Sequence, residues 1–191
     1  MHFAPDTEDT LAFVVDLANT VAGATRSGVD ELASPALLSA LLDAHGYTGR
    51  FDRDDAELDD VRRARTQLRH VWTLDRDSAA EEVNTMLRTT RALPQLVRHD
   101  AFDWHLHPTD NDAPLADRIL SEASLAFVDV IRGDECGRLR ACAAPDCAGI
   151  FADLSRNGSK RFCSVRCGNR VNMIAFRERA ALDDRGDGAG A

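Results

Sequence analysis

The sequence predicts an α+β protein: a mostly helical N-terminal domain with a small antiparallel sheet, followed by a C-terminal treble-clef-like zinc finger. Three observations predict it. Apolar residues recur at helical spacing in four stretches before residue 133. The period changes to alternation between residues 93 and 107. All five cysteines lie after residue 135, four of them in two close pairs. The expected boundaries are 1–135 for the first domain and 136–182 for the zinc finger. The tail 183–191, DDRGDGAGA, supplies no core residue and is expected to be disordered.

The elements follow in order. The apolar run Leu11–Val15, β-branched at Val14 and Val15, suits either a short buried strand or the start of a buried helix. A helix is predicted over 34–45, with Ser34 as N-cap, Pro35 at the first helical position, Leu37, Leu38, Leu41 and Leu42 within, and Gly46 as its stop. A second is predicted over 54–74 on Leu58, Val61, Leu68, Val71 and Trp72. Ser78 is the expected cap of a third, 79–91, which carries Val83, Met86 and Leu87 and is ended by Pro94. Leu96 and Val97, then Phe102, Trp104 and Leu106, read as a hairpin turning at His99–Ala101. After a loop over 108–114, a fourth helix is predicted over 115–132. Its stripe is Leu115, Ile119, Ala123, Ala126, Phe127 and Val130, with Gly133 after it.

Composition bounds the function. The chain has 191 residues, 44% hydrophobic and 29% charged, with a net charge of −9. No run approaches the ~18 apolar residues that a membrane span needs. The acidic start MHFAPDTEDT lacks the basic and apolar blocks of a signal peptide, so a cytoplasmic protein with no membrane partner is expected. Lys160 is the only lysine; the other 22 basic residues are arginines. Charge is unevenly spread: residues 138–182 hold nine basic and three acidic residues, so the acidity lies elsewhere. Such asymmetry points to one part facing a polyanion.

The cysteines read C-x4-C-x15-C-x3-C: Cys142, Cys147, Cys163 and Cys167. Paired thiolates at this spacing reach one ion at ~2.3 Å and close a tetrahedral shell, which suits a structural zinc and leaves no open position for hydrolytic chemistry. Between the pairs, Gly149–Asp153 reads as a strand, Arg156-Asn-Gly-Ser as a turn, and Lys160–Phe162 as the return arm of a hairpin. Ser164 can cap a helix running to about Leu182, with Cys167 in its first turn, where the helix N-terminus favours a thiolate. Cys136 reads as a thiol unrelated to the metal.

On the last helix Arg166, Arg170 and Arg177 fall within about 40° of one another, while Val171, Ile174, Ala175 and Leu182 form a separate apolar stripe. The hairpin adds Arg156, Lys160 and Arg161. These six are the candidate nucleic-acid contacts, since clustered cations displace counterions from phosphates. A solvated face or salt bridges to the acidic domain are the alternatives, and Arg170 has Asp146 or Asp153 as candidate partners within the finger.

Residues 138–179 resemble the CGNR zinc finger of bacterial proteins, with the run Cys167-Gly168-Asn169-Arg170 intact. Two departures are visible: Phe162 stands where many relatives have Trp, and uncharged Val171–Ile174 follows the motif where relatives continue basic. The earlier chain resembles the ABATE domain that precedes this finger, through Val15-Asp16-Leu17-Ala18-Asn19-Thr20. The resemblance implies a stress-induced transcription regulator with DNA as partner. Within the motif, Gly168 would admit another backbone and Asn169 would bond the hairpin.

Other chemistry is sparse. His105 and His107 share a strand face and read as surface histidines. Asp16 and Asn19 could line a ligand pocket, or act only in a turn. No phosphate-cradling Gly loop, nucleophile elbow or supported carboxylate pair is present, so no enzyme is expected. Two functions remain. One is a zinc-dependent DNA-binding regulator whose N-terminal domain senses a small molecule or protein. The other is a zinc-stapled interaction or ligand-binding module without nucleic acid. The oligomeric state is not encoded in any visible pattern.

Overall fold

Pro5 opens helix α1, Pro5–Ala18, and so decides between strand and helix at the N-terminus. Asp6 and Glu8 in its first turn complement the helix dipole. Leu11, Val14, Leu17 and Ala18, three and four residues apart, are fully buried. The computed structural model describes residues 3–98 and 104–187, with side chains through Arg179.

Helix α2, Pro35–Ala44, starts as expected, with the Ser34 hydroxyl accepting the Leu37 N–H. Helix α3, Asp55–Val71, is capped by Asp54, which accepts from Glu57 N–H at 2.8 Å. The Glu57 carboxylate reaches back to the N–H groups of Asp52 and Arg53, closing the first turn reciprocally. Helix α4, Arg76–Thr89, begins three residues before the expected start: Asp75, not Ser78, is the cap, accepting from both Asp77 and Ser78 N–H. A carboxylate can take two orphan donors, and Ser78 is left donating to it.

Strands β1, Gln95–Val97, and β2, His105–His107, pair antiparallel with Leu96 opposite Leu106. The turn expected at His99–Ala101 lies outside the described residues. Helix α5, Leu115–Arg132, matches its expected bounds. It is the centre of the domain, packing against α1, α3 and α4, with Phe127 edge-on to Trp72 at 5.4 Å.

The C-terminal part differs from expectation in its strand pairing. Strand β4, Ile150–Ala152, pairs not with residues 160–162 but with β3, Leu139–Ala141, ahead of the first cysteine. Residues 142–149 are therefore the connection of the hairpin. Helix α6, Val165–Asp187, continues past Leu182, so the first five residues of the tail expected to be disordered are helical. Ala180, Ala181 and Leu182 are strong helix formers with no Gly or Pro before Gly186. No helix of the described residues is long and apolar enough to cross a membrane.

Candidate metal centre

The hairpin connection forms a knuckle. Cys142 N–H donates to Gly149 O at 2.8 Å, and Cys147 N–H to Ala144 O at 3.1 Å. Gly149 N–H points at the Cys147 sulfur at 3.3 Å. Residues 154–162 return the chain, held where Ala143 N–H meets Arg161 O. Cys163 then arrives with its N–H 3.5 Å from the Cys142 sulfur. Ser164 caps α6 as expected, its hydroxyl accepting from Cys167 N–H at 3.2 Å.

The four sulfurs of Cys142, Cys147, Cys163 and Cys167 lie within 4.8 Å of one another. Three separations are 3.7, 3.8 and 3.8 Å. A tetrahedron with ~2.3 Å metal–sulfur bonds has edges of ~3.8 Å, so the donor set fits one structural zinc ion. Burial pushes the Cys147 and Cys163 thiols up, while the Ser164 hydroxyl holds Cys167 down. Thiols packed this closely cannot all ionise without a cation between them. Cys136 stands apart, packed against the main core.

Two glycines are set by this packing. A Cβ on Gly149 would lie 2.9 Å from the Cys163 sulfur and 3.1 Å from the Cys147 sulfur. Gly168 faces the Phe162 ring, 3.3 Å from a built Cβ, and not a neighbouring backbone as expected. Arg170 pairs with Asp146 at 2.7 Å and donates to the Cys167 sulfur at 3.8 Å, so this arginine braces the metal site. Asp153 is fully buried; burial raises its carboxyl, but bonds from Ser155 and Lys160 N–H outweigh this and hold it low. It pins the loop that carries Arg156. Asn169 is exposed, with no hydrogen bond to the hairpin among the described residues.

The other cations predicted from sequence, Arg156, Lys160, Arg161, Arg166 and Arg177, are all exposed, and none is in an ion pair among the described residues. Ile174, expected to pack, is 43% exposed on α6, and Val165, Met173 and Phe176 are exposed with it.

The knuckle is docked on the helical domain. Asn19 accepts Ile150 N–H at 2.8 Å and donates to Ile150 O at 2.9 Å. Arg69 bridges Ala18 O and Ala148 O, Trp72 donates to Phe151 O, and Ala148 N–H donates to Gly23 O. Next to Asn19, Thr20 accepts from Arg65, which also forks onto Asp30.

Residues 138–180 match the CGNR zinc finger family. Residues 11–134, about two thirds of the chain, match the ABATE family model, whose description is "Putative stress-induced transcription regulator". The chain belongs to the ABATE family. Among curated proteins no sequence matches. The motif carrying the ABATE likeness thus has a physical role here: Asn19 joins the two family segments, and Thr20 beside it holds Arg65 within the first.

Asp16 and Asn19, the residues expected to line a ligand pocket, are not part of the main cavity's lining. Asp16 is exposed and meets His45 Nε2 at 3.0 Å, and the Asn19 amide is committed to Ile150. A cavity of about 540 Å³ lies instead at the other end of α1, between α1, α5, the segment 44–48 and β2. Phe13, Tyr47, Arg118 and Glu122 line it, as do His105 and His107, half-buried in its wall and not surface residues as expected. Tyr47 and Glu122 carry no sequence motif; only their meeting in space identifies them.

Proposed function

We propose that the chain is a zinc-dependent DNA-binding transcription regulator that acts in the cytoplasm. Its finger holds phosphates with Arg156, Lys160, Arg161, Arg166 and Arg177, and its N-terminal domain senses a small ligand. Arg170 is assigned to the metal site. The observation that carries the reading is the exposure of these five cations without ion pairs among the described residues, while Arg50, Arg62, Arg65, Arg76, Arg138 and Arg140 all have acidic partners. In a chain of net charge −9, a local set of unneutralised cations suits a polyanion.

Helix α1 supports the sensing part. Its first three turns line the cavity through Asp6, Asp9, Thr10 and Phe13, and its C-cap Asn19 holds β4. A ligand that shifts α1 therefore acts on the element that positions the finger.

The test is fluorescence anisotropy of zinc-loaded protein on duplex DNA over a range of salt. Five phosphate contacts give a slope of about −4.5 in log K against log salt. Binding that is absent at low salt, or indifferent to salt, sinks the proposal. One observation favours a second reading: Val165 is 81% and Phe176 59% exposed on α6, an apolar surface that suits a protein partner. Salt-indifferent capture of a protein, with no DNA binding, is the outcome that favours it.

A further inference from the structure

The cavity at the N-terminal end of α1 has an uneven charge inventory. Its one deeply buried cation, Arg118, is already held. Arg118 Nε donates to Ala113 O, its two terminal nitrogens to Thr48 O and Arg50 O, and its guanidinium lies 5.4 Å from the Tyr47 and Phe51 ring centres. It serves the loops around it. The half-buried acid, Glu122, makes no ion pair among the described residues, although the nearby Arg118 charge draws its carboxyl down against the burial that raises it. The Tyr47 hydroxyl sits near enough for each group to shift the other's proton, but without hydrogen-bond geometry, so this buried hydroxyl has no partner. Among the described residues at the rim, Asp6, Asp9 and Asp129 stand against Arg132.

Apolar surface completes the site. Phe13 stacks on Tyr47 at 5.1 Å, and Leu125 and Ala126 form part of the opposite wall. The volume of about 540 Å³ falls in the range of ~300–1,000 Å³ typical of small-ligand sites. His105, on the β2 wall, adds a smaller positive field at Glu122 than Arg118 does, and its Nε2 lies 3.0 Å from His107 Nε2.

We propose that this cavity binds a small organic cation, an amine or amidine carried on an apolar body, with its N–H groups on the Glu122 carboxylate and the Tyr47 hydroxyl and its body against Phe13, Leu125 and Ala126. The inference rests on the ligand-sensing reading and gives it a site and a chemical class. A carboxylate drawn partly out of water with no cation in contact is costly even with Arg118 and His105 nearby, and a bound ammonium removes that cost while satisfying the orphan hydroxyl. Burial raises both the Glu122 carboxyl and the Tyr47 phenol, and the Arg118 charge offsets this only in part.

The test uses full-length, zinc-loaded protein and three probes of equal size: 2-phenylethylamine, 2-phenylethanol and phenylacetate. Isothermal titration gives affinity, and amide resonances of α1 and α5 report the location. The amine is expected to bind about tenfold or more tightly than the alcohol, and phenylacetate weakest. Glu122→Gln, which keeps the shape, is expected to remove about that factor, and Tyr47→Phe a smaller one. Equal binding of all three probes, preference for phenylacetate, no binding at millimolar concentration, or unchanged affinity in a folded Glu122→Gln protein overturns the proposal. DNA affinity with each bound probe separates the two readings. Phenylacetate that binds and shifts DNA affinity removes the cation class and leaves sensing intact. Amine that binds at Glu122 without changing DNA affinity upholds the site and removes sensing.

Discussion

The Asn19 side-chain amide hydrogen-bonds both backbone groups of Ile150, accepting its N–H at 2.8 Å and donating to its carbonyl at 2.9 Å. The amide thus stands in for the strand that β4 lacks on its outer edge. Ile150 is 4% exposed and belongs to the main core, so water cannot replace these bonds cheaply. Asn19→Ala is expected to destabilise the chain by about 2–4 kcal/mol, because two buried backbone groups lose their partners. Asn19→Asp, which keeps the acceptor but faces a carboxylate oxygen toward the Ile150 carbonyl, is expected to be no better. Urea melts measure the loss. Limited proteolysis between residues 133 and 139 then shows whether the finger detaches while retaining zinc; equal protease resistance of Asn19→Ala and wild type would refute the docking role.

The metal site was readable because its signal is local: two close cysteine pairs, a turn between them, and Ser164 as a helix cap. The helices were readable for the same reason, with α5 matching its expected bounds at both ends. What escaped was long-range. The partner of β4 lies before the first cysteine, and the partner of Asn19 is 131 residues away. Neither pairing alters the periodicity of its own segment. Tyr47 and Glu122 are likewise ordinary residues of their own segments, and only the fold makes them neighbours. Arg170 shares a helix face with Arg166 and Arg177, and only its nearness to Asp146 separates their roles.

Gly149 tests the tetrahedron directly. A methyl group there would sit 2.9 Å from the Cys163 sulfur, closer than a real Cβ contact. Gly149→Ala is therefore expected to weaken zinc by about tenfold or more, measured by competition with a chromophoric chelator. Gly137→Ala, where nothing lies within 4 Å of the added carbon, is the control and should leave affinity unchanged.

Zinc removal should be felt beyond the finger. Hydrogen exchange after chelation is expected to lose protection first in β3, β4 and the start of α6, because metal affinity is folding free energy for this segment. Ile150 belongs to the main core, so α1 near Asn19 should also exchange faster. Unchanged protection at α1 would mean that the docking survives without the metal.

The Asp30–Arg65 fork gives a pH signature. The Arg65 hydrogen bond is the main influence on the Asp30 carboxyl and holds it below the usual carboxylate range. A depressed folded-state pKa contributes stability that is complete above the unfolded value of about 3.9 and is lost as pH falls through the lower folded value. Asp30→Asn is expected to cost about 1–3 kcal/mol at pH 7, discounted for the partial exposure of Asp30. The difference from wild type should shrink below pH 4. Comparing the two proteins at each pH cancels the zinc loss that acid causes in both.

Arginines on one face of α6 should separate into two functions. Arg166 and Arg177 are exposed without ion pairs among the described residues, whereas Arg170 holds Asp146 and the Cys167 sulfur. Replacing Arg166 and Arg177 together by Ala is expected to reduce the salt slope of DNA binding by about 1.8, at ~0.9 for each phosphate contact, with zinc affinity unchanged. Arg170→Ala should do the opposite: it removes a charge-assisted contact to a metal-binding thiolate, so zinc affinity falls while the salt slope of the remaining folded protein stays the same. Anisotropy over a salt series and chelator competition, run on both variants, read the two quantities independently. An Arg170→Ala protein that keeps its zinc affinity and loses salt slope would make this arginine a phosphate contact and not a brace.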